Sequence, residues 1–195
     1  MAYTYINRRG STHYFKKTST KKGGYRYYIT KKADDSDLIE EVPDGFEVTE
    51  LPEDGKVVIR KIVSSRIMPE EAAIVRQAVE RLSPVNDFLI RVEGDAIEIH
   101  ISQFSNYHDA SYLTAEEVKE FWGENAMRWK TYDWILSFIL VDEILRVWSV
   151  VRKANVQYPY VEIERSTGLE ILAEKYCYHV GRESLLQFWI PDEDW

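Results

Sequence analysis

Apolar and polar positions in the first sixty residues read as short strands joined by tight polar turns, and the period changes near Ser64-Ser65 to a helical one. Tyr3–Arg8 and Thr12–Lys16 flank Arg9-Gly10-Ser11, and Tyr25–Thr30 follows Lys21-Lys22-Gly23-Gly24. A Gly-Gly pair supplies the positive φ of a tight hairpin. Pro43-Asp44-Gly45 precedes Phe46–Glu50, and Pro52-Glu53-Asp54-Gly55 precedes Lys56–Ile62. Proline presets φ at the second turn position and glycine takes the strained one. Five short strands in a small antiparallel meander are predicted.

Pro69-Glu70-Glu71 opens a helix, with proline at its first position and acids against the positive dipole end. Its apolar stripe is Ala72, Val75, Ala78, Val79 and Leu82, and Ser83-Pro84 stops it. Phe88–Val92 and Ala96–Ile101 then form a hairpin, with Ile97, Ile99 and Ile101 on one side and Glu98, His100 and Ser102 on the other. A second helix is predicted from Thr114, capped with Glu117, with Val118, Phe121, Trp122 and Trp129 inward. The stretch from Trp134 to Arg152 fits either a helix or two strands turning at Asp142-Glu143. Its wealth of Ile, Val, Phe and Trp favours the strands. Tyr160–Glu164 reads as a strand. Thr167 and Glu170 read as the capping box of a last helix with the stripe Leu169, Leu172, Ala173, Tyr176, Cys177 and Val180, stopped by Gly181. Leu185–Ile190 suits an edge strand or a short helix.

The fold class expected is α+β. A small N-terminal antiparallel β meander (residues 1–63) precedes an α+β domain (67–195), whose helices pack on a mainly antiparallel sheet in the order αββ-αββ-βα.

Charge sharpens that division. The chain has 195 residues and a formal charge of −8, yet residues 1–32 hold nine Lys/Arg and no acid. Ala33 to Trp195 carries 16 basic and 33 acidic side chains, or −17. An apolar content of 45% excludes a disordered chain, and one cysteine, Cys177, excludes a disulfide framework. The longest apolar run, Trp134–Val141, is eight residues and includes Ser137, whereas a membrane helix needs about 20. MAYTYINRRG becomes polar and basic too early for a secretory signal. A cytoplasmic protein that neither spans nor anchors in a membrane is expected.

Some residues also carry a likeness. Tyr5-Ile6-Asn7-Arg8-Arg9-Gly10, Tyr14, Thr20-Lys21-Lys22-Gly23, Arg26-Tyr27-Tyr28 and Pro43-Asp44-Gly45-Phe46-Glu47-Val48 belong to it. So does the tail, Leu172 to Ser184. Together they resemble a family of uncharacterised prokaryotic proteins with a basic, tyrosine-rich N-terminal β module. The resemblance implies a shared fold and brings no activity with it.

Catalytic and cofactor patterns are missing. The four His (His13, His100, His108, His179) and Cys177 show no zinc-ligand spacing. Asp34-Asp35-Ser36-Asp37 lacks the glycine, the glutamate and the helices of a calcium loop. The chain has no G-x-S-x-G, P-loop or dinucleotide glycine motif. Asp142 with Glu162-Ile163-Glu164 approximates a metal-dependent nuclease pattern, but Glu164 stands where a lysine should. No cofactor and no metal is expected, and Cys177 reads as a buried, unreactive thiol.

The positive feature is basic and aromatic. Arg8, Arg9, Lys16, Lys17, Lys21, Lys22, Arg26, Lys31 and Lys32 interleave with Tyr3, Tyr5, Tyr14, Phe15, Tyr25, Tyr27 and Tyr28, of which Tyr27 is the candidate contact ring. Cations neutralise phosphates while rings stack bases, which is the chemistry of single-stranded nucleic acid binding. Two other readings fit the same pattern: a solvated face over a ring-filled core, and a basic module docked on the acidic domain. The leading expectation is a non-enzymatic binding or adaptor protein that contacts single-stranded nucleic acid. A protein–protein interaction or regulatory protein is the second, and an enzyme with a noncontiguous site the third.

Overall fold

The computed structural model describes residues 1–34, 36–103, 120, 123, 130–154 and 160–188. They form two helices and three antiparallel sheets, an α+β protein. The chain divides into two compact units, Met1–Ile62 with Lys119–Thr131, and Val63–Val118 with Tyr132–Trp195. The helix expected from Thr114 lies outside the described residues.

The first unit contains five strands, but they do not form one meander. β1 (Thr4–Ile6), β2 (Thr12–Ser19) and β3 (Tyr25–Thr30) make one sheet, and β4 (Phe46–Glu50) and β5 (Val57–Lys61) make another. The break arises at Asp37–Ile39, which lie along β2 beyond the residues that β1 pairs with. There Lys17 N–H donates to Asp37 O, Ile39 N–H to Phe15 O, and Tyr3 N–H to Ile39 O. Ile39 is thereby drawn into the core with Phe15 and Val57, against which Tyr3, Tyr5, Tyr27, Ile29, Val48 and Ile59 pack.

The second unit is a five-stranded sheet covered by helices. Helix α1 (Pro69–Leu82) has proline at its first position, and the Glu71 carboxylate accepts the Met68 N–H at 2.8 Å. This satisfies one of the donors that a helix start leaves open. β6 (Phe88–Glu93), β7 (Ala96–Ser102), β8 (Tyr132–Asp142), β9 (Val147–Lys153) and β10 (Tyr160–Ser166) follow in the spatial order β10-β9-β8-β7-β6. The ambiguous run from 134 to 152 is therefore a strand pair, turning where Asp142 Oδ1 accepts the Ile144 and Leu145 N–H groups.

Helix α2 (Leu169–Cys177) differs from expectation at both ends. Its N-cap is Gly168 with no side-chain cap, so the Thr167–Glu170 capping box does not form. It stops at Cys177, although Val180 beyond it is still fully buried. Of the two alternatives for Leu185–Ile190, the described part follows the short helix, as a 3₁₀ helix at Glu183–Gln187, and positions 189 and 190 lie outside the described residues. Val75, Val79, Leu172, Ala173, Tyr176 and Cys177 meet Ile97, Ile99, Ile101, Phe138 and Val150 in one core. Gly181, at φ +78, seals its edge, and a Cβ there would lie 2.3 Å from Val85 Cγ2.

Candidate nucleic-acid interface

Strand pairing decides which of the basic and aromatic residues share a surface. In the β2–β3 hairpin, Tyr14 pairs with Thr30, Lys16 with Tyr28, Thr18 with Arg26, and between them Phe15 with Ile29 and Lys17 with Tyr27. Side chains alternate across a strand. Phe15, Tyr27 and Ile29 accordingly face the core, and Tyr14, Lys16, Thr18, Arg26, Tyr28 and Thr30 face the other way. The turn at its tip is fixed by Thr20, whose Oγ1 accepts the Gly24 N–H at 3.1 Å while its carbonyl accepts the Gly23 N–H. Gly23 adopts φ +80 there, with open space around it.

A recess of about 550 Å³ forms beside this tip, lined by Thr18, Ser19, Thr20, Lys21, Lys22, Arg26 and Tyr28. None of Lys21, Lys22 and Arg26 stands at ion-pair distance from a carboxylate among the described residues. Three cations, three hydroxyls and a 43% exposed ring thus border one concavity. Hydroxyls and cations are the common donors to phosphate oxygens.

The remaining candidates separate from it. Arg8 is committed inside the unit. Its Nε donates to Lys130 O, Nη1 to Leu51 O and Nη2 to Pro52 O, and Glu50 pairs with it at 3.2 Å. Arg9 lies half-buried with its guanidinium against the Gly55 turn, and its N–H is held by Asn7 Oδ1. Tyr27 packs edge-on against Phe46, with ring centroids 4.9 Å apart, so it belongs to the core and offers no face to a base. Lys17 Nζ lies 5.4 Å from the Tyr25 ring centroid, on the Tyr27 side of the hairpin. Lys31 and Lys32 are exposed beyond the end of β3. Lys16 sits on the outer face, opposite Tyr28. Tyr14 and Tyr28 are among the interleaved rings of the sequence but not among its candidate contacts. The signal that finds them is the strand register: each is an even number of residues from Lys16 or Arg26.

Titratable groups elsewhere are turned to structural use. Burial, then the nearby Lys31, holds His13 below the ordinary histidine value. Burial, then Glu50, pushes the Tyr5 phenol up. The carboxylates of the nuclease-like pattern have separate partners. Asp142 holds its turn, Glu162 is kept below the usual range by Arg165, and Glu164 by Lys175 and then the Tyr176 hydroxyl. On the sheet face away from the helices, His100 pairs through Nε2 with Glu98 at 3.0 Å, while its buried Nδ1 has no hydrogen-bond partner. Among the described residues, no group of three or more His, Cys, Asp and Glu is placed to hold a metal ion. No helix among them is long and apolar enough to cross a membrane.

No family model matches the chain, and no curated protein or solved structure matches it either.

Proposed function

We propose that the protein is a cytoplasmic, non-enzymatic binding or adaptor protein that contacts single-stranded nucleic acid through the outer face and tip of the β2–β3 hairpin. A basic β module and an acidic α+β domain, the latter in the order αββ-αββ-βα, would form its two parts. The observation that carries this reading is the recess itself, where Lys21, Lys22 and Arg26 converge with no carboxylate at ion-pair distance among the described residues. Cations left unpaired on one concave surface concentrate positive potential, and a phosphate chain is the ligand that matches it. The chain's overall charge of −8 opposes this, but 0.1 M salt screens exposed charges beyond about 10 Å, so the local patch governs contact.

The test is fluorescence anisotropy of a labelled single-stranded oligonucleotide titrated with the full chain at several salt concentrations. Affinity should fall with salt, with a log–log slope of about 0.7 for each phosphate contacted. Replacing Lys21, Lys22 and Arg26 together by alanine should flatten that slope by about 2 and leave the unfolding midpoint unchanged. Absence of salt-sensitive binding overturns the proposal. If the triple variant instead loses stability, the cations serve an internal contact.

A further inference from the structure

We infer that the outer face of the β1–β2–β3 sheet is a two-base stacking platform formed by Tyr14 and Tyr28, an inference that rests on the nucleic-acid reading above. The sheet pairing carries it. Tyr14 pairs with Thr30 and Lys16 with Tyr28, so the two tyrosines occupy diagonal positions on one face. Diagonal neighbours in an antiparallel pair lie about 7–8 Å apart, within reach of aromatic side chains. Two bases of an extended single strand can be spaced to match that separation; two bases stacked in a duplex cannot.

Among the described residues both rings are also uncommitted. Tyr28 is 43% exposed and Tyr14 is half-buried. Neither packs on another ring or under a cation among the described residues, in contrast to Tyr3 on Phe15, Tyr27 on Phe46 and Tyr25 beneath Lys17. A tyrosine that neither fills the core nor stacks on a neighbour is free to take a base as its ring partner.

Phosphate contacts adjoin the platform in the right order. Arg26 is two residues from Tyr28 on the same face of the same strand, and one such repeat spans about 6.7 Å. Lys21 and Lys22 continue beyond it around the recess. A strand laid along β3 would then place a base on Tyr14, the next on Tyr28, and its following phosphates on Arg26 and the tip lysines. Thr12, Thr18 and Thr30 border the same face and add hydroxyls that accept or donate to sugar and base edges. Stacking tolerates any base, so little sequence preference is expected.

The experiment compares three probes of about eight nucleotides on the full wild-type chain: oligo(dT), an abasic strand with the same phosphates, and a duplex. Oligo(dT) should bind about tenfold or more tighter than the abasic strand, and the duplex should bind no better than the abasic strand. Tyr14→Leu and Tyr28→Leu should each erase most of that margin while leaving the salt slope unchanged. Equal binding of oligo(dT) and the abasic strand by the wild-type chain overturns the platform and leaves phosphate recognition standing. Failure of every probe to bind overturns both. Because the abasic comparison uses unmodified protein, the inference is decided even if a tyrosine variant misfolds.

Discussion

Replacing Gly181 by alanine should test how tightly the core edge beneath α2 is closed. Gly181 has φ +78, a conformation that costs a residue with a Cβ about 1–2 kcal/mol. The added Cβ would also lie 2.3 Å from Val85 Cγ2, far inside van der Waals contact, and Val85 is itself buried. Relief requires Val85 or the 178–182 turn to move, and overpacking of this kind costs about 1–3 kcal/mol. The two contributions give about 2–5 kcal/mol for Gly181→Ala. Gly23 is the control, since its φ of +80 is nearly the same but nothing lies within 4 Å of the built Cβ. Gly23→Ala should therefore cost only the conformational part, about 1–2 kcal/mol. Urea unfolding of both variants gives the difference directly. Adding Val85→Ala should make Gly181→Ala less costly than it is alone, because the clashing methyl is gone. If Gly181→Ala destabilises no more than Gly23→Ala, or if the double variant shows no coupling, the close approach to Val85 is refuted.

Two further outcomes follow from buried groups. Burial, then the charge of Glu174, pushes the Cys177 thiol from 9.0 up to about 12. The unfolded chain therefore loses this proton first, and stability should fall as pH rises from 9 to 12, by up to about 1.4 kcal/mol per unit. Unfolding curves of wild type and Cys177→Ala at successive pH values isolate the effect, and native thiol labelling should be slow at pH 8; rapid labelling would contradict the burial. Arg8→Lys should destabilise by about 2–4 kcal/mol, because a lysine cannot reach the Lys130, Leu51 and Pro52 carbonyls and Glu50 at once. A change in the unfolding midpoint no larger than that of a surface variant such as Lys61→Arg would refute the role of the guanidinium.

Much of the α+β framework was legible because burial and period agree. In the run from 134 to 152, positions 141 and 145 satisfied a helical stripe, yet Val141 and Leu145 are 42% and 65% exposed. Leu136, Phe138 and Leu140 on one strand and Trp148 and Val150 on the other are buried at a strand period, with Ser137, Ser149 and Val151 beside them buried as well. The split of the expected single meander into two sheets was not legible, because Ile39 enters the core through backbone bonds that Asp37 and Ile39 make with β2 and Tyr3, and no side-chain pattern encodes them. In the candidate interface the cations were legible by type and the rings were not. Tyr27 and Tyr28 are adjacent and chemically identical. Which one faces out depends on a register set across the hairpin, and a shift of one residue exchanges them. Arg8 likewise reads as one more cation of a basic stretch until its acceptors, 43 to 122 residues away, come into view.

Those long separations give the first unit a timetable. The β2–β3 hairpin joins neighbours in sequence and can close in microseconds once both strands have left the ribosome. Arg8 must wait for Leu51 and Pro52 and finally for Lys130, which at about 5–20 residues per second means roughly 6–25 seconds. During that interval the nascent chain displays nine cations that precede every acid, including one that the finished fold withdraws. The growing segment is thus most attractive to polyanions before Asp34 and the acids that follow it emerge, and Arg8 is withdrawn in two steps, first by the charge of Glu50 and later by the Lys130 carbonyl.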